Sequence, residues 1–189
     1  MGKLTDFFAR FPTLHSERIV LRKMVVSDSR DMFEYSKKPS VTKYLLWEPH
    51  ADECVTRGYL RYLQGQYARK SFHDWAIVLR DSGKMIGTCG FARIDEENNA
   101  AEVGYVLNPD YWGYGYAAEA LSCVIRFGFN HMELNRISAR ILEGNERSMR
   151  VAEKCGMFRE AVHRHAIIVK GEYKTYHEFV ILHEDYIER

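Results

Sequence analysis

The chain has 189 residues and a net charge of +1 at pH 7, which gives no electrostatic footprint for nucleic acid or an anionic membrane surface. With 46% hydrophobic and 28% charged residues it has the balance of one folded domain, taken as residues 1–189, long enough to bury a sizeable core. No apolar run reaches membrane-span length and no signal-peptide pattern opens the sequence, so the expected location is cytoplasmic.

Cys54, Cys89, Cys123 and Cys155 lie far apart, in neither a disulfide framework nor a zinc spacing, which fits a reducing compartment. His163 and His165 alternate along one strand and read as a packed or exposed pair, so no metal is expected. Met1-Gly2-Lys3-Leu4-Thr5 misses an acylation motif by one place.

In chain order, Arg18 to Arg22 is a short strand. Ser27 is placed to cap a helix from Asp28 to Lys37, with Met32 and Phe33 inward, and Pro39 is expected to stop it. Val41 to Pro49 is an irregular, aromatic-rich link. Ala51 to Arg69 is a second helix, with Val55, Tyr59, Leu63 and Tyr67 as its buried stripe. Trp75 to Arg80 and Lys84 to Ile94 form a hairpin around Asp81-Ser82-Gly83. Gly87 and Gly90 mark a bulge or a close backbone approach.

Ala101 to Leu107 is the next strand. Asn108-Pro109-Asp110 is a turn, and Trp112-Gly113-Tyr114-Gly115-Tyr116-Ala117 is a glycine-rich loop. A helix from Ala117 to Phe129 follows, with Ala117, Leu121, Val124, Ile125 and Gly128 on one face. A strand, a glycine turn and a helix start form an anion cradle: the glycines admit a phosphate and the free N–H groups point at it. No Gly-Lys-Ser/Thr follows, which excludes a P-loop, and the third spaced glycine of a dinucleotide fold is missing. Arg136 to Leu142 is a strand parallel to Ala101–Leu107 if the helix is a right-handed crossover. Asn145 or Glu143 caps a helix to Lys154, ended by Cys155-Gly156. Met157–Val169 and Glu172–Leu182 form a last hairpin around Lys170-Gly171. The order β-α-α-β-β-β-α-β-α-β-β describes a mixed α/β sheet.

Three stretches together resemble the GNAT superfamily of acyl-CoA-dependent N-acyltransferases, and most closely its RimJ/RimL-like branch of ribosomal-protein N-terminal acetyltransferases. They are Leu21-Arg22 with the helix after it, Glu102 to Ala117, and Glu143-Gly144-Asn145-Glu146-Arg147-Ser148 with Glu153-Lys154-Cys155-Gly156-Met157. The resemblance implies a single-domain α/β fold, a mixed seven-stranded sheet with helices on both faces and a splayed central strand. It implies acetyl-CoA as donor, a primary amine as acceptor, and a monomer or homodimer. The chain departs from the superfamily pattern in three places. Trp112 stands where Arg or Gln is usual, Met157 where Phe is usual, and Ala152 where many relatives carry a proton-donating Tyr.

The chemistry then assigns roles. The backbone from Gly113 and Tyr114 through Gly115, Tyr116 and Ala117 to Ala118, beside Trp112, suits a pyrophosphate. A free N–H near Val106 or Leu107 would polarise the thioester carbonyl. Asn145 matches the family's contact to the pantetheine arm. Glu102 is the candidate base for the amine, with a structural salt bridge as the competing reading. Ser148 is the candidate acid, with Tyr105 and Tyr173 as weaker ones. Cys155 lacks an adjacent base, so direct transfer is preferred to an acyl-cysteine. Tyr44, Trp47, Phe72, His73 and Tyr173 are the expected acceptor walls. A non-catalytic acyl-CoA-binding domain is the alternative reading.

Overall fold

The computed structural model describes residues 4–187. The extended, β-branched segments pair into one eight-stranded sheet in the order β1-β2-β3-β4-β5-β6-β8-β7. The strands are β1 (Leu14–His15), β2 (Ile19–Arg22), β3 (His73–Leu79), β4 (Met85–Asp95), β5 (Ala100–Leu107), β6 (Arg136–Leu142), β7 (Phe158–Val169) and β8 (Glu172–Leu182). Seven were expected. The eighth is β1, which pairs only Leu14 with Leu21 and His15 with Val20, too short for alternation to mark it.

Helices α1 (Ser29–Ser36), α2 (Pro39–Thr42), α3 (Glu53–Ala68), α4 (Tyr116–Asn130), α5 (Glu146–Lys154) and α6 (His183–Ile187) complete the chain. Three local expectations change. Residues Val26–Asp28 form a 3-10 turn, and Asp28 rather than Ser27 holds the start of α1, taking the Val25 N–H at 2.9 Å and the Arg22 guanidinium at 2.7 Å. Pro39 begins α2 at its first position, where a missing N–H is harmless, instead of only ending α1. In α3 the buried residues are Thr56, Leu60, Leu63 and Tyr67, while Val55 is exposed. A strict repeat of four advances about 40° per step around a helix, so the Val55-Tyr59-Leu63-Tyr67 series drifts off the buried face.

The sheet separates two cores. Phe8, Trp75, Phe91, Leu121, Val124 and Phe127 belong to the one beneath α4. Met24, Tyr35, Leu60, Leu63, Ala76 and Met85 belong to the one under α1 and α3. Alternation along β3 sorts them: Trp75 and Ile77 face α4, while Ala76 and Val78 face α1 and α3.

The feature that positions the site is in β5. It pairs antiparallel with β4 from Ala100 opposite Asp95 to Leu107 opposite Gly87. Its parallel pairing with β6 stops after Ala100–Arg136, Ala101–Ile137 and Glu102–Ser138. From Val103 onward, β5 and β6 part. Gly87 faces the far end of this segment, and a Cβ there would meet the Val106 carbonyl oxygen at 2.2 Å. Gly87→Ala should therefore destabilise the fold by ~3 kcal/mol, because backbone would have to move. Gly58→Ala, in the middle of α3 with nothing within 4 Å of the new Cβ, should stabilise by about 0.5–1 kcal/mol through helix propensity. Urea unfolding of both variants checks the pair.

Candidate active site

The glycine loop adopts the conformation its residues require. Gly113 and Gly115 have φ of +87° and +86°, where a side chain is strained. Gly115 caps α4, whose first intrahelical bond runs from Glu119 N–H to the Gly115 carbonyl at 3.0 Å. The N–H groups of Tyr116, Ala117 and Ala118 precede that bond and point out of the helix end. An arginine just before β2, to which the sequence assigned no role beyond its strand, secures the loop. Arg18 pairs with Glu119 at 2.7 Å, donates to the Tyr114 carbonyl at 3.0 Å and lies 4.6 Å over the Tyr116 ring. Burial works to raise the Glu119 carboxyl, but donors from Ser16 and Arg18 outweigh it and hold it below its ordinary value.

Of the two expected carbonyl-polarising donors, Leu107 is the one left free. Asn108 N–H donates to Ile86 O on β4 at 2.8 Å. Alternation in an antiparallel ladder then aims Val106 N–H at β4 and Leu107 N–H into the gap beside β6. The Leu107 carbonyl on the same side is taken by the Trp112 indole N–H at 2.9 Å. Trp112 thus ties the loop to the strand end, and Arg147 stacks on its other side, 4.5 Å from the ring.

Across the gap, α5 brings Ser148 to Tyr105. The Tyr105 hydroxyl donates to the Ser148 carbonyl at 2.8 Å and receives the Ser148 hydroxyl at 2.9 Å. Burial pushes the Tyr105 phenol well above its ordinary range. The two candidate acids are therefore one hydroxyl pair. Asn145 caps α5, its oxygen accepting from Ser148 N–H at 3.4 Å. The Cys155 thiol donates to the Ala118 carbonyl at 3.3 Å and is raised by burial, which keeps it in the unreactive thiol form.

Glu102 stands at the last paired position of β5. Arg140 on β6 holds its carboxylate at 2.5 Å, and the same guanidinium lies 5.7 Å from the Tyr176 ring. Here the geometry is that of the salt-bridge reading.

The acceptor walls are brought together only in part. Tyr44 donates to the Gly144 carbonyl at 2.9 Å, joining the link before α3 to the loop before α5. Trp47 and Phe72 pack against the α1/α3 core. His73 does not join them, because its strand position turns it to the α4 side, 4.5 Å from the Phe8 ring. Tyr173 is exposed near the tip of the β7–β8 hairpin. That tip docks through Lys170, which reaches the Thr42 carbonyl at 3.0 Å and Glu48 at 3.1 Å. A lysine in a two-residue turn carries no sequence signal for this contact.

On the α1/α3 side of β3 lies Asp74, just outside the strand expected from Trp75 to Arg80. Burial raises its carboxyl to about 7, against the pull of the Thr88 hydroxyl and the Trp75 N–H. Among the described residues no group of His, Cys, Asp and Glu is arranged to hold a metal ion.

The acetyltransferase (GNAT) domain family matches residues 18–158. A Bacillus licheniformis protein named uncharacterized N-acetyltransferase p20 is 33% identical over 174 residues, covering 92% of this chain and 98% of its own. Bacillus subtilis YoaA, also named an uncharacterized N-acetyltransferase, is 31% identical over 161 residues, 85% of this chain and 91% of its own. The crystal structure of a GNAT-family acetyltransferase from Bacillus anthracis superposes with a TM-score of 0.82 at 29% identity, covering 92% of this chain and 99% of that one. The chain belongs to the GNAT acetyltransferase family, and it is an N-acetyltransferase.

The Asp74 carboxyl carries a stability prediction. Its folded value of about 7 stands above the ordinary 3.8, so the folded protein retains a proton that the unfolded chain loses. Stability therefore falls as pH rises from about 4 to about 7. Asp74→Asn cannot ionise and should gain up to ~4 kcal/mol over the parent at pH 8 and nothing at pH 4. Thermal unfolding at the two pH values reads the difference.

Proposed function

We propose that this protein transfers the acetyl group of acetyl-CoA to a primary amine, a peptide or protein N-terminus or a small amine, by direct attack in a ternary complex, as a RimJ/RimL-like enzyme. One observation carries the reading. The strand that parts from its parallel neighbour runs directly into the glycine loop and the bare end of α4. A pantetheine arm needs an unpaired strand edge, and a pyrophosphate needs clustered N–H donors; here the two are contiguous. Leu107 N–H would polarise the thioester carbonyl from the same edge. Tyr116, Ala117 and Ala118 would supply the phosphate donors at the positive end of the helix. The Ser148–Tyr105 pair would protonate the departing thiolate, which stands in for the tyrosine that Ala152 replaces.

Relatives lend support at this finer level. Escherichia coli spermidine N(1)-acetyltransferase is 23% identical over 177 residues, 93% of this chain and 91% of its own. A structure titled ribosomal-protein-S5-alanine acetyltransferase from Vibrio fischeri shares the fold at a TM-score of 0.73 and 21% identity, covering 93% of this chain and 98% of that one. Another with the same fold, microcin C7 self-immunity acetyltransferase MccE, was solved in complex with acetyl-CoA and AMP; its TM-score is 0.78 at 19% identity, over 88% and 93% of the two chains.

The test is thiol release from acetyl-CoA with a panel of peptides and small amines. Turnover on at least one amine is expected, and tight CoA binding without turnover on any would favour a non-catalytic acyl-CoA-binding domain. Gly115→Glu should abolish CoA binding in calorimetry, since it strains the loop and places a negative charge at the phosphate site. Ser148→Ala and Tyr105→Phe should each lower kcat by about tenfold. The double variant should lose little more, because the two hydroxyls act as one unit. A full multiplicative loss would separate their roles.

A further inference from the structure

The glycine loop is bordered by a cation that it does not itself encode. Trp112 stands where the family pattern has Arg or Gln, so the loop opens without a charged side chain. A guanidinium lies there nonetheless, supplied by α5: Arg147 sits 4.5 Å over the Trp112 ring. The indole is tied to the Leu107 carbonyl, so the arginine rests on a fixed platform. A guanidinium stacked on an aromatic face keeps its in-plane N–H groups at the edge, open to an acceptor.

The fold leaves that charge unanswered. Arg147 is the second residue of α5 after the Asn145 cap, where the positive helix end disfavours a cation. The carboxylates nearest the loop are taken, Glu119 by Arg18 and Asp110 by Lys38. Glu146, next to Arg147, projects about 100° away around the helix. Arg150 and Lys154 lie within about 60° of Arg147 on the helix surface and extend the line over about 10 Å. All three cations are exposed, and among the described residues none has an ion pair or a hydrogen bond. Lys154 is in the last turn, where its charge complements the helix end. Arg147 and Arg150 have no such compensation. The line stays beside the loop's own helix, because Cys155 at the end of α5 reaches the Ala118 carbonyl at 3.3 Å and Ser122 at 3.5 Å.

We propose that Arg147, with Arg150 behind it, binds the 3′-phosphate of coenzyme A, so that the enzyme selects its donor by the nucleotide end as well as by the thioester. The assignment rests on the acetyl-transfer reading above. In that reading the N–H groups of Tyr116, Ala117 and Ala118 take the pyrophosphate. The 3′-phosphate lies one ribose further on and, as a monoester, carries about 1.5 to 2 negative charges at pH 7. It needs donors beside the loop rather than in it. The free edge of Arg147 offers two parallel N–H groups, the fork that matches phosphate oxygens. Dephospho-CoA lacks this phosphate, and an acyl group on a carrier protein's phosphopantetheine lacks the nucleotide altogether. Either donor would leave the two arginines as unneutralised as they are in the free protein.

Calorimetric titration with CoA, dephospho-CoA and 4′-phosphopantetheine reads the site without turnover. The parent should bind CoA about tenfold or more tighter than dephospho-CoA, the worth of a charged hydrogen-bonded contact. It should bind 4′-phosphopantetheine no better than dephospho-CoA. Arg147→Gln should lose about tenfold for CoA and change little for dephospho-CoA, so the preference disappears. Arg150→Gln should cut the preference about twofold at low salt and less at high salt. Arg164→Gln removes the same charge from β7, the far edge strand, and should leave both affinities at parental values. Equal affinity of the parent for CoA and dephospho-CoA overturns the assignment. So does an Arg147→Gln that weakens both alike, which would place the arginine on the pyrophosphate or merely on Trp112. Should Arg147→Gln fail to fold, the parent's ratio and Arg150→Gln decide: a preference that Arg150→Gln reduces supports the site, and one that it leaves intact removes it. A parent that binds none of the three probes fails earlier, at the donor site itself.

Discussion

A parallel strand pair that stops after three residues governs this molecule. Every backbone N–H and C=O must find a partner or reach water. Where β5 and β6 part, the facing edges of Val103–Leu107 and Ala139–Leu142 lose their mutual partners. The edge of β6 lying away from β5 is still satisfied, since β6 pairs with β8 along its whole length. On the β5 side the protein fills the opening with specific contacts. Trp112 takes the Leu107 carbonyl, and Tyr105 spans to α5. The remaining edge is a slot of fixed width, held open by side chains from both walls.

The slot would be useless if the glycine loop wandered. Two clamps prevent it. On one side Ser16 and Arg18, in the turn between β1 and β2, fasten the first turn of α4 through Glu119. On the other, buried Asn108 donates to Glu34 at 2.9 Å, while Lys38 reaches both Asn108 and Asp110 at 3.0–3.2 Å. Neither clamp is local in sequence. The first also balances charge, because the acid inside the first turn is met by a guanidinium and the positive helix end stays available to an anion.

Much of this was legible in the residues, and the limits are physical. Alternating hydrophobicity gave seven strands, because each has four or more residues on a buried sheet; β1, with two, has no period. The glycine loop was readable because Gly113 and Gly115 serve a backbone geometry that few other residues tolerate. Val55 misled because spacing by four approximates a helix only over short spans. The site was harder. For Glu102 the base and salt-bridge readings stood side by side, because Arg140 lies 38 residues away on a strand whose register is not encoded locally. Asp74 was invisible for the opposite reason. A single acid at a strand start has no pattern, and its character arises from a burial that exists only after folding.

The hydrogen bond from Tyr44 to the Gly144 carbonyl has a consequence beyond fastening two loops. Tyr44 lies in the link before α3, proposed as an acceptor wall, and Gly144 adjoins Asn145 at the start of α5, proposed as a donor contact. A ligand that shifts either end changes the energy of the other, and thermodynamic reciprocity makes that change equal in both directions. With the proposed substrates, order of addition would then depend on the strength of one phenol–carbonyl contact.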